Sequence, residues 1–288
     1  MMAVPVGRVR FSFYSWGIKY MSSAMERLKN RKKNRKYIED IYLDKSNTYI
    51  IHYSCQSFYG NTKSVRVTSI GVRNLESAQT HYWSIWHASE KLKIEPNNEE
   101  NLDVLEKSVL DSYFDFIKNL QAKFLHWNMR NANYGFQALE HRYQVLGGTP
   151  IKIPDSCKFD MPRILSALYG GNYIEHSYEF ENKTYSGRMM VLAALNNIAI
   201  KDAMNGKEEA EAFEQGNYQA LHLSTSRKLD MIANFFDLTH ANKLKHNGKF
   251  TEIYGLHLTT IPEIIKEHPA YSALVVVGTI VGIFWKFR

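Results

Sequence analysis

The stretch TYIIHYSCQSF at residues 48–58 constrains the fold more than any other part of the chain. Its β-branched and aromatic residues alternate with polar ones and run into Tyr59-Gly60-Asn61, the pattern of a strand ending in a hairpin. Two more strand-like runs, 65–72 and 80–87, follow with no room for a helix between them, so the three make an antiparallel meander. With 288 residues, 44% of them hydrophobic, the chain can bury such a sheet within one large domain carrying appendages.

The segments that follow supply the cover. Asn97-Asn98 offers an asparagine cap to a run that begins Glu99-Glu100 and places Leu102, Leu105, Val109, Tyr113 and Ile117 at helical spacing, giving a helix to about residue 120. Residues 122–128 are short and apolar and return to the sheet, and a strand–helix–strand passage implies a parallel pairing. The pattern then predicts a helix over 134–145, a short strand over 151–154 and a helix over 159–169 with Pro162 in its first turn. Helices over 188–200, 208–216 and 220–238 complete an α/β fold in which a mixed sheet is flanked by helices. Residues 1–44 form a basic arm and helix, 45–241 the α/β domain, 242–269 a linker with two prolines, and 270–286 an apolar end.

Charge is concentrated at the start of the chain. Between residues 27 and 36, seven positions are Lys or Arg and none is acidic, a block that suits phosphates of nucleic acid or anionic headgroups, or else a solvated arm. The two cysteines, Cys55 and Cys157, cannot make a disulfide framework, and buried thiols in a reducing compartment are the expectation. Residues 1–24 lack the continuous apolar core of a signal peptide.

The other end is apolar. AYSALVVVGTIVGIFW at 270–285 has no charged residue, and as a helix it would span about 24 Å. Tyr271, Trp285 and the closing Lys286 and Arg288 extend that reach at the interfaces, and Gly278 and Gly282 offer a small-residue face for a second helix. This segment is read as a C-terminal membrane anchor, with Lys243, Lys245, Lys249 and Lys266 holding the main domain on the cytoplasmic side. A final buried element is the rival.

The element order resembles the ribonuclease H-like fold of the DEDD 3′-to-5′ exonucleases over about residues 48–238. In that family an Asp-x-Glu on the first strand helps hold two divalent metal ions; the matching residues here are Ser54 and Gln56. FLHWNMRNANYGFQAL resembles the second motif through His126 and Asn128, with Gly135 where an aspartate is expected. KFDMPRIL is similar to the third through Asp160, and TSRKLDMIANFF keeps Asp230 of the last, with Thr225 in place of its histidine. Two-metal hydrolysis needs several carboxylates to hold paired cations such as Mg²⁺ beside a polyanion, so the resemblance implies a degenerate nuclease frame.

The better ligand site is therefore 126–142, where a strand end meets a helix start, as ligands commonly bind in open α/β sheets. His126, Trp127, Asn128, Arg130, Tyr134 and Arg142 concentrate there, and Arg227 on the late helix is expected to face the same groove. Trp127 and Tyr134 either stack on bases or pack in the core. GNTKS at 60–64 lacks a P-loop's first glycine and following helix, and no HExxH, GxSxG or Cys/His set occurs. Three readings follow: a membrane-anchored pseudo-nuclease that binds nucleic acid or a nucleotide, a membrane-associated effector or interaction protein, or an active metal-dependent nuclease using other carboxylates.

Overall fold

The computed structural model of the chain describes residues 12–57, 64–130, 132–180, 183–254, 261, 262 and 265. A long helix α1 (Ser12–Tyr42) precedes the meander β1 (Thr48–Cys55), β2 (Val67–Asn74) and β3 (Thr80–Ser84). Then come α2 (Ile85–Leu92), α3 (Glu99–Lys118), β4 (Lys123–His126), α4 (Phe136–Val145), β5 (Lys158–Asp160) and α5 (Met161–Tyr169). A hairpin of β6 (Ser177–Phe180) and β7 (Lys183–Ser186) leads to α6 (Arg188–Leu195), α7 (Gly206–Glu214), α8 (Tyr218–His240) and α9 (Phe250–Tyr254).

The main sheet has the order β3-β2-β1-β4-β5. β1–β2 and β2–β3 pair antiparallel, β1–β4 and β4–β5 parallel. The fold is thus mixed α/β, with β1 central. Side chains on β1 alternate between two cores. Ile51, Tyr53 and Cys55 face α3 and α4, meeting Leu105, Val109, Tyr113 and Leu139. Ile50 faces the other way, into the core of Ile38 and Ile41 from α1, Leu165 from α5 and Phe235 and Phe236 from α8.

Small residues on the strands, Ser54, Ser69 and Gly71, face α8. Ser54 pairs across to Ser69 and His52 to Gly71. A Cβ on Gly71 would lie 2.5 Å from Leu229 Cδ1 and would displace that side chain. Between strands and helix runs a ladder of hydroxyls: Ser54 Oγ to Thr225 Oγ1 at 2.8 Å and Ser69 Oγ to Thr225 Oγ1 at 2.5 Å. Ser54 gives its single proton to Glu209 Oε1, so Thr225 donates to Ser54 and accepts from Ser69, and no hydroxyl of the ladder is stranded.

On the opposite face a charged cluster is sealed under α3 and α4. Glu106, wholly buried, accepts from Arg142 Nε at 2.8 Å, Arg66 Nη1 at 3.1 Å and the Val67 amide at 2.7 Å. Burial pushes the Glu106 carboxyl up, and the two guanidiniums and the amide pull against it.

Several expected boundaries move. The run 80–87 does not stay extended: Ser84 Oγ accepts from the His87 amide at 3.2 Å, caps α2, and turns Ile85 and Ala88 into the core. Residues 151–154 form no strand, because Pro154 has no amide for a ladder and leads into a 3-10 turn at Asp155–Cys157; the fifth strand is β5 instead. The β6–β7 hairpin and α9 are unforeseen. Part of the segment expected to be a linker packs on the domain, with Leu244 buried and the Asn247 amide donating to Tyr173 O at 2.8 Å. Phe58, the turn at 59–61 and the apolar segment 270–286 with Gly278 and Gly282 lie outside the described residues. Among the described residues, no helix is long and apolar enough to cross a membrane.

Candidate functional site

β1 outruns its parallel neighbour. His126, the last residue of β4, sits level with Ile51, so Ser54, Cys55 and Gln56 project beyond it and open a crevice at the strand ends. A bulge between Ser54 and Cys55 turns the strand end at this point. The crevice divides into two clefts.

The inner cleft, about 990 Å³, is lined by Ser54, Gln56, Trp127, Tyr134, Glu209 and Lys228, among others. Its polar centre is Glu209, placed there by α7, whose start is fixed by a capping box between Asn205 and Glu208. Glu209 Oε1 accepts from Lys228 Nζ at 2.6 Å, Ser224 Oγ at 2.8 Å and Ser54 Oγ at 2.9 Å. Tyr134 stacks on Tyr53, 4.6 Å between ring centres, and donates to Tyr53 O at 3.1 Å. Trp127 packs on Phe235 and is only 7% exposed. These two aromatics are wall and floor of the cleft, held by the core. His52, also lining it, is buried with neither ring nitrogen hydrogen-bonded, and burial followed by the charge of Lys228 drives its pKa well below the usual histidine value.

The outer cleft, about 680 Å³, lies at the ends of β4 and β5, where His126 and Asp160 are register partners. Asn128 adopts a left-handed backbone, φ 59°, which asparagine tolerates better than most residues. The turn there aims its own amide at Asp160 Oδ1, 3.0 Å, and the next amide, of Met129, at His126 Nδ1, 3.2 Å. Because Nδ1 accepts, the neutral ring carries its proton on Nε2. Burial, then Arg130, Lys158 and Arg163, lower the His126 pKa to about 3. Asp160 forms an ion pair with Arg130 Nε, while Arg163 Nε stays 4.0 Å away. Burial raises the Asp160 pKa against the Asn128 amide and both arginines.

The remaining expected site residues are placed elsewhere. Arg142 belongs to the sealed Glu106 cluster and also reaches Asp103 at 3.0 Å. Arg227 donates to Lys201 O at 3.0 Å and lines neither cleft. Asp230 pairs with Arg73 at 2.8 Å and with Arg227 at 3.5 Å, so it does not share a cleft with Asp160. At Gly135 a Cβ would lie 2.5 Å from Met129 C and 2.6 Å from its oxygen, so the close backbone crossing leaves no space for an aspartate. The Gly135 amide instead donates to Tyr53 Oη at 2.9 Å.

The donor set does not fit a pair of divalent cations. Ser54 and Gln56 bring no charge, and Glu209, the carboxylate bonded to Ser54, is already bound by an ammonium and two hydroxyls, while Glu211 and Glu214 line the same cleft. Among the described residues, no three His, Cys, Asp or Glu side chains gather as a metal site. Glu209 was not foreseeable as a partner of Ser54, since it sits in an acidic run whose only sequence signal is a helix start. Compared with family models, curated proteins and solved structures, the chain matches none of them.

Proposed function

We propose that the chain is a catalytically degenerate, ribonuclease H-like domain that binds nucleic acid or a nucleotide, tethered to a membrane through residues 270–286 with the domain on the cytoplasmic side. Three antiparallel strands followed by two parallel ones, in the order β3-β2-β1-β4-β5, support the frame. The observation that carries the degenerate reading is the Lys228–Glu209 pair beside Ser54. A nuclease of this kind would hold its catalytic cations at the end of the central strand; here a protein ammonium supplies the positive charge there.

Binding is favoured by the outer cleft, where Arg130, Lys158 and Arg163 line a concave wall and His126 is neutral. Gel-shift and degradation assays on the full chain in nonionic detergent test both halves of the reading. Single-stranded RNA or DNA is expected to bind with an affinity that falls steeply with salt, equally with Mg²⁺ or EDTA, and to be recovered intact. Degradation that needs Mg²⁺ and disappears in Asp230→Ala would overturn the degenerate assignment, and absence of binding at low salt would overturn the ligand class.

A further inference from the structure

The outer cleft is the mouth of a longer groove. Along one stripe of α1, residues Arg27, Asn30, Lys33, Asn34 and Tyr37 recur at intervals of three and four, so they share a face. Leu28, Ile38 and Ile41 on the neighbouring stripe are buried in the core, which fixes the orientation of the helix. α5 runs beside α1 and presents Arg163 and Ser166. Three depressions join along this seam. The first, at Gly170–Asn172, contains Arg27 and shares Asn30 and Ser166 with the second. The second contains Lys33 and shares Asn34, Tyr37 and Arg163 with the outer cleft.

The charges along the groove are unevenly committed. Arg130 and Lys158 are held by Asp160 and Asp155. Arg27 and Lys33 make no ion pair with a described residue, and Arg163, 70% exposed, approaches Asp160 only to 4.0 Å. Glu252, the acid at the far end, accepts from Asn172 at 3.1 Å. From Arg27 to Tyr37 the helix advances about 15 Å, enough to follow several backbone phosphates of one strand. Between these cations lie amides and hydroxyls, Asn30, Asn34, Tyr37 and Ser166, groups of the kind that hydrogen-bond sugars and bases; Asn34 Nδ2 donates to Asn30, and Lys33 Nζ stands 5.5 Å from the Tyr37 ring.

We infer that the α1–α5 groove is the track for the phosphodiester backbone of a single nucleic-acid strand, with Arg27, Lys33 and Arg163 as its phosphate contacts. This rests on the nucleic-acid reading above and adds a path lying outside the strand-end crevice. The concave form and the amide floor favour a strand over a bilayer, which would meet a flat basic face. Lys29 and Lys36, exposed on the same helix but lining none of the three depressions, provide a matched control.

The experiment measures fluorescence anisotropy of a labelled oligo(dT) and an oligo(U) with the full chain in nonionic detergent, over a range of salt. Each phosphate contact on a single strand contributes about 0.7 to the slope of log K against log salt. Lys33→Gln combined with Arg163→Gln is expected to lower the slope by about 1.4 and to weaken binding on the order of tenfold or more near 0.1 M salt. Lys29→Gln combined with Lys36→Gln removes the same charge and is expected to leave the slope nearly unchanged. Equal loss in both doubles would mean that total helix charge governs binding, and the groove assignment fails while the nucleic-acid reading stands. No binding by the unsubstituted chain would remove both. A third arm uses vesicles of phosphatidylglycerol and phosphatidylcholine. Loss of vesicle binding in the groove double, with oligonucleotide binding intact, would reassign the groove to lipid and overturn the inference.

Discussion

Glu106 and Asp160 are each faced by two arginines, one carboxylate packed beneath α3 and α4 and the other at the ends of β4 and β5. Glu106 meets Arg66 and Arg142 beneath α3 and α4, all three nearly inaccessible to water. Asp160 meets Arg130 and Arg163 at the strand ends, but those guanidiniums are 36% and 70% exposed. The ingredients are alike; the geometry separates their roles. In the closed cluster every charge is consumed by another, and nothing remains to meet a ligand. In the open one a buried acid orients Arg130, while the outward cations stay available to solvent and to whatever enters the cleft.

The sharpest way to test this contrast is to remove the closed acid. Glu106→Leu leaves Arg66 and Arg142 buried with only the partly exposed Asp103 and Glu99 to answer them, and is expected to cost about 3–5 kcal/mol in urea unfolding. A loss below about 1 kcal/mol would mean that the cluster is open to water after all.

Acid comes next in size, and it acts through the open side. His126 is neutral in the fold with a pKa of about 3, against about 6.5 when unfolded. Between those values the unfolded chain binds the extra proton, so stability is complete above pH 6.5 and falls as pH drops toward 3. The loss from this one group is expected to reach about 2 kcal/mol at pH 5. His52 and His222, also shifted down by burial, act with the same sign. Asp160 and Glu106, shifted up, act with the opposite sign near pH 4. The His126 share is isolated as the difference in pH slope between the unsubstituted chain and His126→Gln; identical slopes would place the acid sensitivity elsewhere.

The smallest effect expected is that of Asp160→Asn. The amide oxygen still accepts from Asn128, and the arginine left behind is partly exposed, so stability should fall by only about 1 kcal/mol. Oligonucleotide binding should tighten, since a negative charge leaves the cleft. Weaker binding would show that the acid contacts the ligand side directly.

The sheet was largely legible because β1, α3 and α8 carry long, regular apolar periods that only one burial pattern satisfies. Boundaries slipped where a side chain caught a backbone group. Ser84 converted the end of a strand into a helix cap, and Pro154 ended an apolar run too early for pairing. Sequence located the end of β4 near His126 but could not sort the cations around it by partner. Arg142 and Arg163 look equivalent in a helix pattern, yet one is turned into the closed cluster and the other to water. Partnerships such as Ser54 with Glu209, 155 positions apart, depend on helix docking, which local periodicity does not encode. Ser54 and Gly135 also have physical reasons in the fold: a hydroxyl that serves α8, and a glycine demanded by a backbone crossing.

The hydroxyl ladder under α8 has a kinematic consequence. A helix joined to two strands through Thr225, and seated on Gly71 through Leu229, resists sliding over the sheet. α7 is short, and its charged grip on the rest of the domain passes through the Glu209 carboxylate. The inner cleft lies between α7 on one side and β1 and α8 on the other, so widening it would require separating Lys228 from Glu209.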